Sequence, residues 1–356
     1  MAIIDKPSDF INTKLYTGNG GTNAQTGVGF KPDFTWIKER LSSGYNHALF
    51  DVVRGATKVL QSNATVAERT LSDSLTVFGS DGFTLGADGD GTYGNTVNQN
   101  TKTYASWNWK AGTSFSNNAG ANGASLASAG SINTTTGFSI IKYTGGGSGG
   151  ATVNHGLGAV PQMIILKRLQ DSGYDWVVYH KDKTAGLYLN NTNNNNDSSS
   201  NNIWFNGAAP TSQVFTIGSD GRQSNSGKDY LAYCFKGVQG YSKFGTYTGN
   251  GNADGPFVYL GFKPSFLMVR LTSGSDDWQI LDNKRSPINI VGGYLRPNSD
   301  GATVNNDVID FTSNGFKLRT SAGSWNPSGG TFIYMAFAEN PFVTSTDNGS
   351  IPTTAR

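Results

Sequence analysis

The side chains best suited to nucleophilic, metal-binding or proton-transfer chemistry are three histidines, one cysteine and a few carboxylates, and their spacing limits what they can do. His47, His155 and His180 stand far apart, and no HxH or HExxH pair places two imidazoles for one zinc ion. Each is read as a structural histidine with satisfied hydrogen bonds. Cys234 lies in the aromatic run YLAYCFKG, a setting that buries a thiol and raises its pKa instead of activating it. As the single cysteine it has no intrachain disulfide partner. Asp88–Gly91 reads DGDG, half of a calcium loop without the closing bidentate glutamate, and so a solvated turn. Gly145–Gly150 reads GGGSGG, but no Lys-Ser/Thr follows and no helical pattern begins there, so a hairpin tip fits better than a phosphate loop. Asp276 and Asp277 are adjacent, which in a strand points them to opposite faces, whereas glycoside cleavage needs two carboxylates facing each other across a cleft. The expectation is a chain that is not an enzyme, with no cofactor and no metal site.

Aromatic residues are the remaining class that could bind, because sugar rings stack on indole and phenol faces. Trp36, Trp107, Trp109, Trp176 and Trp278 sit inside strand patterns and are assigned to the core. Trp204, beside an Asn-rich insertion, and Trp325, in AGSWNPSGG, lie in loop-like context and are the candidates for glycan contact.

Composition narrows the elements that could position such residues. The chain has 356 residues with 47 Gly, 15% charged and 12% aromatic residues, the signature of short strands and many turns. A formal charge of +2 spread along the chain gives no basic patch, which argues against nucleic acid as a partner. The start MAIIDKPSDF lacks a basic segment followed by an apolar run, and nowhere do about 18 apolar residues follow one another. Neither a signal peptide nor membrane insertion is expected.

Internal repetition sets the architecture. YTGNG occurs at Tyr16–Gly20 and Tyr247–Gly251, and YTGGG at Tyr143–Gly147. Downstream, Pro32, Pro161 and Pro264 each precede a hydrophobic strand with a basic end, and His47, Trp176 and Trp278 follow at matching distances. Asp81-Gly82, Asp220-Gly221 and Asn314-Gly315 mark hairpin turns. The closing strands are YASWNWKAG, YLAYCFKG and IYMAFAENP, the first alternating with period two as a half-buried strand does. An all-β fold of three tandem antiparallel β-sandwich modules is expected at 11–112, 137–238 and 243–343, with a jelly roll as a close alternative. Residues 1–10 would be an N-terminal arm, 344–356 a C-terminal tail, and the small-residue segment 113–136 an exposed linker. The Asn-rich run from Asn190 is read as a mobile loop. Only GVQGYSK joins copies two and three, so those two should hold a fixed relative orientation.

The repeated wording LYTGNG, GVGFKPDFTWIKER, NHALFDVVRGATKVL, SDGFTLG and YASWNWKAG, with the closing AFAENPFVTSTDNGSIPTTAR, resembles the repeat modules of structural proteins of marine and cyanobacterial tailed phages, which often carry concanavalin-like or other β-sandwich domains. That resemblance implies a virion component, assembled in the host cytoplasm and released by lysis, whose partners are other tail or capsid proteins. The expected role is a fibre or tail appendage, with a capsid decoration protein as the alternative. A homo-oligomer, first of all a trimer, follows from the symmetry usual in such parts. A host-surface glycan is a further expected partner, and a glycan-binding or glycan-cleaving protein is the rival reading.

Overall fold

The computed structural model describes residues 4–89, 96–193 and 205–341. The chain is all-β, and its described helical elements are two three-residue 3-10 turns. One antiparallel strand order recurs along the chain. Strands Ile11–Thr17, Thr103–Trp109, Phe34–Glu39 and Ala48–Asp51 lie side by side in that order. So do Phe138–Thr144, Asp229–Phe235, Met163–Arg168 and Val177–His180, and again Ser242–Thr248, Thr331–Pro341, Phe262–Leu271 and Trp278–Asp282. The three ladders are in register with one another: Phe34 faces Trp109, Met163 faces Phe235, and Phe266 faces Phe337.

Every ladder is covered on both sides. One face joins a single central core drawn from all three, including Phe34, Trp36, Trp107 and Trp109 of the first, Ile165, Tyr233 and Phe235 of the second, and Phe266, Met335 and Phe337 of the third. Aromatic rings carry the contacts between ladders: Phe34 stacks on Tyr233 with centroids 4.3 Å apart, Trp109 meets Phe266 edge-on at 5.4 Å, and Phe235 meets Phe337 at 6.0 Å. The opposite face of each ladder packs on its own outer strands, through separate clusters around Phe83 and Tyr104, Phe215 and Tyr230, and Phe316 and Tyr334. The half-buried character expected of Thr103–Trp109 is therefore corrected. Tyr104, Ser106 and Asn108 are as buried as Ala105, Trp107 and Trp109, because they face the outer layer while the others face the centre.

The segment 113–136 is largely exposed, as expected, but much of it is strand and not a free linker. Thr113–Asn117 and Ser128–Asn133 form a hairpin that extends the second ladder beyond Phe138–Thr144. At Gly130 the small residue is a packing requirement: a Cβ there would lie 1.8 Å from the Ile140 carbonyl oxygen. The Ser131 hydroxyl donates to Asp33 Oδ1 at 3.1 Å, fastening the hairpin to the first ladder. At the start of the chain, Ile4 enters the central core and Phe10 packs against it, so this end of the arm is part of the body. The tail 344–356 lies outside the described residues.

Candidate functional site

The residues singled out for chemistry are held by internal bonds. His47 Nδ1 accepts from Trp36 Nε1 at 2.8 Å, which leaves Nε2 to donate to the Arg296 carbonyl at 3.0 Å. His155 and His180 repeat the pattern, accepting a backbone N–H at Nδ1 and donating at Nε2 to Thr211 O and Tyr334 O. Burial pushes His155 and His180 down to about 4 and His47 well below its ordinary value, so all three are neutral. Cys234 is fully buried, and desolvation pushes its thiol up to about 12.

Asp88 is also buried. Desolvation pushes it up to about 6, against the pull of the Val97 and Asn98 N–H groups that its Oδ2 accepts. The second half of DGDG lies outside the described residues, and no group of three His, Cys, Asp or Glu among the described residues could hold a metal. Asp277 pairs with Arg296 at 3.1 Å and accepts from Asn298 at 2.6 Å.

Trp325 is corrected as a glycan contact. It is 1% exposed, packed edge-on against Tyr294 in the third outer core, so neither ring face is open to a sugar. The apolar core claims the indole because its backbone is fixed there: the Trp325 carbonyl accepts the Tyr247 hydroxyl at 3.0 Å. Trp204 lies outside the described residues.

The same bond explains the recurring pentapeptide. Tyr16, Tyr143 and Tyr247 donate to the carbonyls of Val97, Gln223 and Trp325. The first glycine then passes so close to the facing chain that a Cβ on Gly18, Gly145 or Gly249 would lie 2.2, 2.5 or 2.3 Å from a backbone oxygen. Asn98 and Asn326 complete two of the loops, each side chain accepting from the loop backbone and donating to carbonyls around it.

Sequence reading missed a set of buried polar contacts that link the ladders in a ring. The residues facing Phe34, Met163 and Phe266 are Asp51, His180 and Asp282. Asp51 accepts from Tyr233 of the second ladder at 2.9 Å, His180 donates to Tyr334 of the third at 3.3 Å, and Asp282 accepts from Trp107 of the first at 3.0 Å. The reverse direction is also closed: His47 reaches Arg296 O, Trp176 reaches Gln61 O at 2.9 Å, and Trp278 reaches Tyr188 O at 2.8 Å. Asp51 and Asp282 are each neutralised by a buried arginine three residues on, Arg54 at 2.6 Å and Arg285 at 2.5 Å. The repeated D-x-x-R spacing was the available signal.

A concavity of about 470 Å³ with two lysines in its wall lies between the second and third ladders. The short connection from Gly237 to Ser242 lines it, turning tightly where Tyr241 and Ser242 both donate to the Val238 carbonyl. Lys181 is set beside Gln162 by a 2.9 Å backbone bond, and Lys243 donates to the Tyr259 carbonyl at 2.6 Å with its ammonium 5.3 Å from the Tyr259 ring centre. Partial burial and then the charge of Lys181 lower the Lys243 pKa. A smaller cavity of about 180 Å³ shares Lys181 and adds Lys183, Tyr179 and Phe205. Such a wall suits an anion or a polar ring lying against Tyr259.

Residues 6–341 match the family described as Domain of unknown function (DUF7483). The chain belongs to that family. The DUF7483 match runs through all three ladders and the hairpin between the first two. No curated protein and no solved structure matches the chain.

Proposed function

We propose that this DUF7483 chain is a non-enzymatic structural protein of a tailed-phage virion, a fibre or tail appendage built from a triplicated β-sandwich closed into one threefold prism. The observation that carries the reading is the use made of the reactive side chains. His47, His180, Asp51 and Asp282 are spent on bonds between ladders, and Cys234 and His155 on outer cores, which suits a body selected for rigidity. The resemblance of the repeat wording to phage structural modules supplies the virion context. Assembly with tail or capsid proteins, trimerisation and contact with a host-surface glycan belong to the same proposal.

The internal threefold favours one second reading, a capsid decoration protein, since a single copy could seat on three equivalent neighbours around a lattice threefold. The test is mass spectrometry of purified particles followed by cryo-electron microscopy. Density at the tail supports the appendage, density at lattice threefolds supports decoration, and absence of the chain from particles overturns both.

A further inference from the structure

We propose that the groove between the second and third ladders is a binding site for an anionic sugar unit, with Lys181 and Lys243 taking the acidic group and Tyr259 the ring face. The inference deepens the glycan-contact part of the proposed function and moves that contact away from the tryptophans. Three observations support it independently. The cavity, about 470 Å³, falls within the roughly 300–1,000 Å³ range of small-molecule sites. Its two lysines come from the second and third repeats; Lys181 pairs with Asp182 at 2.6 Å, but the lining itself holds both lysines and no acidic side chain, which leaves the wall basic. Tyr259, 54% exposed, is a large ring presented to solvent, as a saccharide platform must be.

The floor is shaped for close approach. At Gly237 a Cβ would lie 2.5 Å from Gln162 Oε1, so the absence of a side chain there leaves the Gln162 amide at the groove wall, where it can meet sugar hydroxyls. The equivalent junctions differ. The concavity between the first and second ladders, around Val53 and Phe115, has no charged side chain in its lining, and that between the third and first is only about 50 Å³. The repeat that made three junctions has thus left one of them equipped for an anion.

The test is isothermal titration of the full chain with tetragalacturonate, a sulfated carrageenan tetrasaccharide and neutral maltotetraose. At least one anionic probe should bind, weaken with added salt, and exceed the neutral probe about tenfold or more in affinity. Lys243→Ala, Lys181→Ala and Tyr259→Ala should each weaken that binding about tenfold or more, while Lys58→Ala, in a distant exposed pair with Thr70, leaves it unchanged. Unaltered thermal midpoints check that the variants fold. Equal binding of maltotetraose, no binding of any probe at millimolar concentration, or full binding by Lys243→Ala and Lys181→Ala overturns the site. None of those results bears on whether the chain is a virion part, which the particle experiment decides separately.

Discussion

Asp51 shows how a charge can be buried without chemistry. Its two oxygens accept from Val53 N, Arg54 N, Arg54 Nε and the Tyr233 hydroxyl, so the carboxylate is fully satisfied and joins two ladders. Asp51→Ala leaves the Arg54 guanidinium, 1% exposed, with only the longer 3.5 Å contact to Glu68 as counter-charge, so the loss falls at the low end of the about 3–5 kcal/mol that breaking a buried pair costs. Urea unfolding of the variant should show a loss of that size; a loss below about 1 kcal/mol would mean that the pair holds little. Titration gives a second prediction at this scale. His155 and His180 have folded pKa values near 4 against 6.5 when unfolded, so between those values the unfolded chain binds more protons and stability falls as pH falls. The buried Lys38 and Lys167, pushed down by desolvation to about 8 and about 7, act in the same direction at higher pH, since the unfolded lysines stay protonated up to 10.5. Asp88, raised to about 6, and Asp33, also raised by burial, oppose this in the acid range, but two carboxyls stand against several bases. The urea midpoint should rise from about pH 5 to about pH 9; a flat or falling profile would contradict the neutral state assigned to these groups.

At the scale of the element, steric demands of the backbone govern what could be read in advance. The YTG segments were legible because close approach and left-handed geometry admit little besides glycine, as at Gly20 and Gly251 with φ of 66° and 70°. Gly18→Ala and Gly249→Ala should each destabilise by about 1–3 kcal/mol or more, because the new methyl must displace a facing carbonyl. Thermal unfolding of the two variants checks this, and a neutral result at both would show that the loops adjust freely. The hairpin at Thr113–Asn133 was hidden by the same physics. Gly130 is required there by lack of space beside Ile140, yet in a sequence it and its Ala and Ser neighbours carry the composition of a linker. Trp325 misled in a similar way: its flanks are turn-like, but the carbonyl that anchors Tyr247 fixes the indole into the outer core. The groove was illegible for another reason, since Lys181, Gln162 and Tyr259 meet only when two ladders pack together.

For the whole molecule, the central core decides how the chain folds. The strand runs SFLMVRL and QMIILKRL are continuously apolar, as strands covered on both faces are, but nothing in that pattern says that one of the covers is the neighbouring ladders. A repeat excised at 243–343 would expose Phe266, Met268, Trp278, Ile333, Met335 and Phe337, all buried against residues of the other two ladders. Exposing a large apolar side chain costs about 1.5–3 kcal/mol, and six such losses together, about 9–18 kcal/mol, are as large as the roughly 5–15 kcal/mol that holds an ordinary domain folded. The ring of polar bonds compounds the loss, because Asp282 loses Trp107 and the Trp278 indole loses Tyr188. We therefore expect 243–343 expressed alone to be unfolded or aggregated, and the full chain to unfold in one calorimetric transition whose van't Hoff and calorimetric enthalpies agree. A folded, monomeric fragment with a sharp melting transition would show instead that each outer core suffices and that the shared centre is a docking surface between independent sandwiches. The distinction matters for the particle. Cooperative prisms present fixed surfaces at every junction, whereas docked sandwiches could open at the junction between the second and third ladders and lose the groove there.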